Sequence, residues 1–242
     1  MIKGLIGKKI GMTQTFNKDG LIVPVTVVET GPCTVLEIKE SPKKIKLGFD
    51  PIKESKLNKP QLGFFKKLGV APMRTVREVS STDNSGYTVG QEIKADFFKA
   101  GDFVDIQGIS IGKGFQGGMK RHGWKGGGAT HGSMHHRRVG SIGSSAYPSR
   151  PFTGRTMPGH MGDETVTVQS LRVIEVNVEK NLVFIKGAIP GQDRGTVIIK
   201  RSQKRAFKPL DEKIVAVAKK VNPLKQSKKA AGGGKAAAKG GK

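Results

Sequence analysis

The sequence predicts a mainly β protein: a body of short strands, one long basic loop within it, and a basic tail. Three observations carry that prediction. Runs rich in Val, Ile and Thr, bounded by Gly, Pro, Asn or Asp, recur on both sides of the middle of the chain. Helical periodicity is scarce. The positive charge is concentrated, since +17 of a formal net +24 falls in two stretches that lack acidic residues, 106–162 and 213–242. A length of 242 residues permits one or two domains and a buried core.

In chain order, residues 21–29 (LIVPVTVVE), Cys33–Lys39, 44–49 and 73–79 read as strands. Asn17-Lys18-Asp19-Gly20 is a turn signal ahead of the first. Residues 61–68 (QLGFFKKL) and 96–100 each predict a turn or two of helix. Beyond the basic loop, 165–171 (TVTVQSL), 172–178 (RVIEVNV), Leu182–Lys186 and 196–200 again read as strands, with Glu179-Lys180-Asn181 as a hairpin link. Many short strands with turns at this spacing fit a barrel or sandwich, not a doubly wound sheet. Residues 211–221 (DEKIVAVAKKV) predict a short helix, with acids first and lysines last as the helix dipole favours. Residues 222–242 are mostly Lys, Ala and Gly and predict a disordered basic tail.

Such a cationic surplus points to a polyanionic partner, nucleic acid first. A membrane reading is disfavoured, because no apolar run approaches the roughly 20 residues that span a bilayer. The opening MIKGLIGKKIGM is too often broken by Lys and Gly for a signal peptide. The single cysteine, Cys33, excludes an internal disulfide framework and fits a reducing compartment. Within PCTVLEIK it reads as a buried structural thiol.

The loop over residues 108–162 holds all five histidines, the only tryptophan and 15 glycines. Loops this long are usually functional or disordered, and disordered segments are poor in aromatics. Here the cations Lys113, Lys120, Arg121, Lys125, Arg137, Arg138, Arg150 and Arg155 are interleaved with Phe115, Trp124, Tyr147 and Phe152, and with His122, His131, His135, His136 and His160. Lys and Arg neutralise phosphates, and aromatic, His and Arg planes stack on unpaired bases. The expectation is an extended arm that enters a crevice in folded RNA, poorly ordered alone and ordered on binding. The bland alternative is a solvated basic loop. Trp124, flanked by cations and glycines, is expected to pack on RNA, or on the arm's own His and Arg planes, only when RNA is present.

Other chemistries fare worse. Residues 112–117 (GKGFQG) match GxGxxG after a strand-like run, but a dinucleotide site needs a helix next and an acid about 20 residues on. Further glycines follow instead, and no acid occurs before Asp163. His131, His135 and His136 lack the Cys or carboxylate co-ligands that zinc sites recruit. No nucleophile–base–acid set is visible. No enzyme activity, cofactor, metal or small-molecule substrate is therefore expected. A DNA-binding architectural protein is the remaining rival, and an aromatic arm fits looped RNA better than a duplex.

Several motifs together resemble a known family. The opening Gly4-Leu5-Ile6-Gly7-Lys8-Lys9-Ile10-Gly11-Met12-Thr13 is similar to the first strand of the universal L-three family of large-subunit ribosomal proteins, in its bacterial form. The family signature, from Phe98 through Asp105, Gly108, Ser110, Gly112-Lys113-Gly114 and Gly117 to Arg121, fits throughout. Ala129-Thr130-His131-Gly132, Gly140-Ser141-Ile142-Gly143, residues 157–162 (MPGHMG) and residues 166–169 (VTVQ) also match. The resemblance runs from Met1 to about Pro209. It implies a six-stranded β-barrel of translation-protein type, within one domain over residues 1–210. It also implies a small α/β insertion near residues 40–95 and an rRNA-penetrating arm over 108–162. Large-subunit rRNA and neighbouring ribosomal proteins are the implied partners, in a cytoplasmic ribosome. Early subunit assembly and an arm directed at the peptidyl transferase centre are implied with them. Some bacterial relatives carry a methylated Gln just after the Ser-Ile-Gly step. Here Ser144-Ser145-Ala146 follows, so that modification is not expected. The basic tail extends past the usual bacterial end.

Overall fold

The computed structural model describes residues 2–17 and 19–210. The chain divides into a compact unit, Met1–Pro209, and a second unit, Leu210–Lys242. The helix and tail expected over residues 211–242 lie outside the described residues.

The described residues form twelve strands: β1 (Gly4–Phe16), β2 (Ile22–Glu29), β3 (Cys33–Lys39), β4 (Lys44–Pro51), β5 (Met73–Ser80), β6 (Glu92–Ile93), β7 (Phe103–Ile109), β8 (Gly114–Gln116), β9 (Gly159–Met161), β10 (Thr165–Asn177), β11 (Leu182–Lys186) and β12 (Thr196–Arg201). Six of them pair in the order β1-β12-β7-β10-β11-β2 and close into a barrel. Closure leaves β1 and β10 with two partners each along their 13 residues. Gly4 to Lys8 pairs with β12 and Lys8 to Phe16 with β2, with a register shift between Lys9 and Gly11. At Gly4 a Cβ would lie 2.2 Å from the Ile199 carbonyl oxygen, so the two backbones approach this closely only with glycine there.

The sequence predicts two strands over 165–178, and the structure has one. Its register shifts between Val168 and Leu171, where Ser170 has φ 59°. The Ser170 N–H donates to Asp105 Oδ1 at 2.7 Å instead of to a ladder carbonyl. A bulge of this kind bends a strand; beyond it β10 still pairs with β7 at Leu171 and Arg172, and from Val173 it pairs with β11.

A second sheet has the order β5-β4-β3-β6. It begins at Cys33, and β3 is an interior strand paired with both β4 and β6. Helix α1 (Lys59–Leu68) starts two residues ahead of the expected 61, since Pro60 fits a first helical turn. It ends on Gly69 at φ 67°, a left-handed cap. The expected turn near 96–100 is a single 3-10 turn, Ala95–Phe97.

One core serves the barrel and the second sheet. Leu5, Ile6, Ile106, Val173, Ile185 and Ile199 from the barrel pack in the same buried cluster as Val35, Ile45, Leu47 and Val79. The first four residues of β1 are all buried, as a strand covered on both faces requires. Each such Leu or Ile contributes about 1.5–3 kcal/mol of burial. Cys33 belongs to this core, its Sγ 3.3 Å from the Ile6 carbonyl oxygen. Burial pushes its thiol pKa up to about 12, so it stays protonated and inert at neutral pH.

Candidate nucleic-acid interface

The arm leaves the barrel after β7 and returns at β10. Its two strands are tied at the root, where the Ser110 N–H donates to the Glu164 carbonyl at 2.8 Å and the Asp163 N–H to the Ser110 carbonyl at 3.2 Å. Beyond that, β8 and β9 form a two-stranded ladder that sets Phe115 opposite His160. Gly162, between this ladder and the root, has φ 77°, and a Cβ there would meet the Ile111 carbonyl oxygen at 2.2 Å.

Past β8 the chain makes a one-turn helix, α2 (Gly118–His122), closed by Gly123 at φ 70°. The run of glycines predicts no helix here. The turn forms because Lys120, Arg121 and His122 lie at its carbonyl end, where cations are favoured, and a glycine caps it. Five residues with no following acid do nothing for a dinucleotide site.

The Trp124 ring lies against Gly118, where a Cβ would come 2.0 Å from Cε3 and Cζ3. The His122 ring stacks on it, centroids 6.1 Å apart and planes 28° from parallel. The apolar neighbour that the local sequence lacks is supplied by bare glycine backbone. Arg121 is held as well, with Nη1 donating to the Met157 carbonyl at 2.8 Å, while His122 Nε2 lies 3.0 Å from the same oxygen. Further out, residues 126–128 run beside 135–136. The Gly127 N–H donates to the His135 carbonyl at 2.9 Å, and His136 Nδ1 lies 3.0 Å from the Gly128 carbonyl oxygen. His131 at φ 57° and Gly132 at φ 74° turn the chain between them. The Arg155 guanidinium donates to the Ser141 carbonyl at 2.6 Å. The arm thus carries more local structure than its composition predicts.

Exposure sorts the candidate residues. Lys113, Phe115, Lys120, His122, Lys125, His131, His135, His136, Arg137, Arg138, Tyr147, Arg150, Arg155 and His160 are exposed, whereas Arg121 and Trp124 are half-buried. Tyr147 is 90% exposed and Phe115 77%, far more than aromatic rings in a folded body usually show. Among the described residues, no carboxylate lies within ion-pair distance of any arm cation. The described ion pairs lie elsewhere, as at Lys39–Glu78 and Lys46–Glu37, where the lysines hold both carboxyls below their ordinary pKa. The arm therefore presents uncompensated cations, aromatic faces and imidazoles to solvent. The sequence reading passes over Lys9, which sits in the opening strand motif. It is drawn into the fold at the β1 bulge, its side chain 11% exposed and its Nζ donating to the Gly191 carbonyl at 3.0 Å.

The profile of the family described as Ribosomal protein L3 matches residues 63–181. A large ribosomal subunit protein uL3 of Brachyspira pilosicoli is 48% identical over 209 residues, covering 85% of this chain and 96% of its own length. Its counterpart in Heliobacterium modesticaldum is 52% identical over 206 residues, covering 84% and 98%. The chain belongs to the uL3 family. That of Pelotomaculum thermopropionicum is 51% identical over 209 residues, covering 84% and 99%. uL3 proteins are structural constituents of the large ribosomal subunit and not enzymes. These uL3 relatives are matched over nearly their full lengths.

Proposed function

We propose that this uL3 protein binds large-subunit rRNA through its arm, reaching toward the peptidyl transferase centre, and that the barrel meets neighbouring ribosomal proteins and rRNA during early subunit assembly. The observation that carries the arm's role is its acid-free, largely exposed stretch over residues 108–162, with eight Lys and Arg and no Asp or Glu. Lys113, Lys120, Lys125, Arg137, Arg138, Arg150 and Arg155 neutralise backbone phosphates. Phe115, Tyr147 and the exposed imidazoles stack on unpaired bases. Arg121 and Trp124 shape the arm as well as touching RNA, since each already has a partner within it.

The test compares the affinity of the full chain for large-subunit rRNA fragments and for duplex DNA at equal salt. The proposal expects rRNA to bind more tightly, with a preference that survives at higher salt. Equal affinities would favour an architectural DNA-binding protein instead.

A further inference from the structure

We infer that a pocket at the junction of barrel and arm seats one backbone phosphate of the rRNA, gripped by Lys9 from the barrel and by Lys113 and Arg121 from the arm. The inference rests on the rRNA-binding reading above and adds a site to it, at a residue outside the arm. The pocket encloses about 680 Å³ and is open to solvent. Lys9, Lys113, Arg121 and His122 line it, with Glu164 as the one lining carboxylate.

Lys9 carries the argument. A lysine this deeply withdrawn loses hydration, and proteins bury such a charge only where it is paired or hydrogen-bonded. Its Nζ has one carbonyl partner, Gly191 at 3.0 Å, and one carboxylate, Asp193, at 3.7 Å with 70% of that side chain in solvent. An ammonium has three N–H donors, so these partners leave donor capacity for a ligand. Arg121 is fixed in the opposite wall by its bond to Met157, and Gly159 is bare where the guanidinium crosses it, since a Cβ there would lie 2.7 Å from Nη1. A positioned guanidinium beside two ammonium groups suits an oxyanion with several acceptor oxygens. Three cations against the carboxylates of Glu164 and Asp193 leave the site net positive before any anion enters.

The position gives the site a consequence. Its walls come from β1 and the 189–191 segment on one side and from both strands of the arm root on the other. A phosphate bound between them ties the arm's direction to the barrel, so an RNA strand that fills the pocket also orients the arm.

Phosphate-ethylation interference on an rRNA fragment, read for the full chain and for variants, tests the inference. Ethylation removes the charge of one phosphate at a time. Wild type is expected to show several interfering phosphates. Lys9→Met and Lys113→Gln are each expected to lose sensitivity at one and the same phosphate, while Lys125→Gln, outside the pocket, loses a different one. Lys9→Arg should keep the shared one, by retaining the charge. Should Lys9→Met fail to unfold cooperatively, the exposed Lys113→Gln, together with Lys9→Arg, carries the comparison. Maps in which Lys9→Met and Lys113→Gln lose different phosphates, or none, overturn the shared seat while leaving rRNA binding intact. A wild-type map with no interference anywhere overturns both.

Discussion

Replacing Gly118 by Ala probes the arm's internal seat for Trp124. Two effects oppose one another. Alanine is the better helix former by about 1 kcal/mol, which favours the short turn Gly118–His122. Against this, the new Cβ would sit 2.0 Å from two ring carbons of Trp124, deep inside van der Waals contact, and an indole has no flexible end to yield. Overpacking of this sort costs about 1–3 kcal/mol. The ring escapes at the lower end of that range by swinging out, because it is only half-buried and the ring stacked on it, His122, is itself exposed. Sterics therefore win, and Trp124 moves into water. The assay is steady-state fluorescence with acrylamide quenching, with Trp124 as the sole reporter. Gly118→Ala is expected to shift emission to the red and raise the quenching constant. The barrel's cooperative melt should stay in place, because neither residue belongs to the core cluster. Unchanged emission and quenching would refute the packing argument.

Further expectations concern separate parts of the molecule. Leu5→Ala empties a fully buried site and should lower global stability by about 2–5 kcal/mol in denaturant unfolding. Replacing residues 111–162 with a short Gly/Ser linker should leave the barrel folded, because Ser110 and Asp163 are already hydrogen-bonded neighbours; loss of cooperative unfolding would place the arm in the core. Tyr147→Ala should weaken rRNA binding by about 1–3 kcal/mol with the salt slope unchanged, as stacking rather than charge is removed. Cys33 should resist thiol reagents in the native state at pH 8 and react on unfolding. With its pKa raised from 9.0 to about 12, its contribution to stability is intact below pH 9 and declines as pH climbs from there toward 12, because the unfolded state releases the proton first.

Most of the β body was legible from the residues because alternating Val, Ile and Thr between turn formers marks a strand wherever one face is buried. Cys33–Lys39 and Leu182–Lys186 have the bounds that this pattern predicts. The pattern misleads at β10, where Ser170 interrupts the alternation and a bulge resembles a strand break. Strand pairing between distant parts of the chain, as of Gly4 with Lys200, leaves no local mark, so the closure order was not legible and the family resemblance implied only a six-stranded barrel. Within the arm the chemistry was legible and the geometry was not. Cations and aromatics declare themselves by type, whereas the seat of Trp124 depends on the absent side chain of Gly118. Lys9 shows the converse, because nothing in GLIGKKIGM distinguishes the buried lysine from exposed Ile10 until the bulge between Lys9 and Gly11 sets which faces inward.

The most direct test of the arm as the rRNA-binding surface is a salt titration of affinity for a large-subunit rRNA fragment, run on the full chain and on the variant in which a linker replaces residues 111–162. Each phosphate contact contributes about −0.7 to −0.9 to the slope of log K against log salt. The variant loses eight basic residues and retains those of the barrel and the second unit. Binding by the full chain should be steep, and the variant should bind more weakly with a slope shallower by several such increments. Equal affinity and equal slope for the two proteins would contradict the account and place the RNA-binding charge outside the arm.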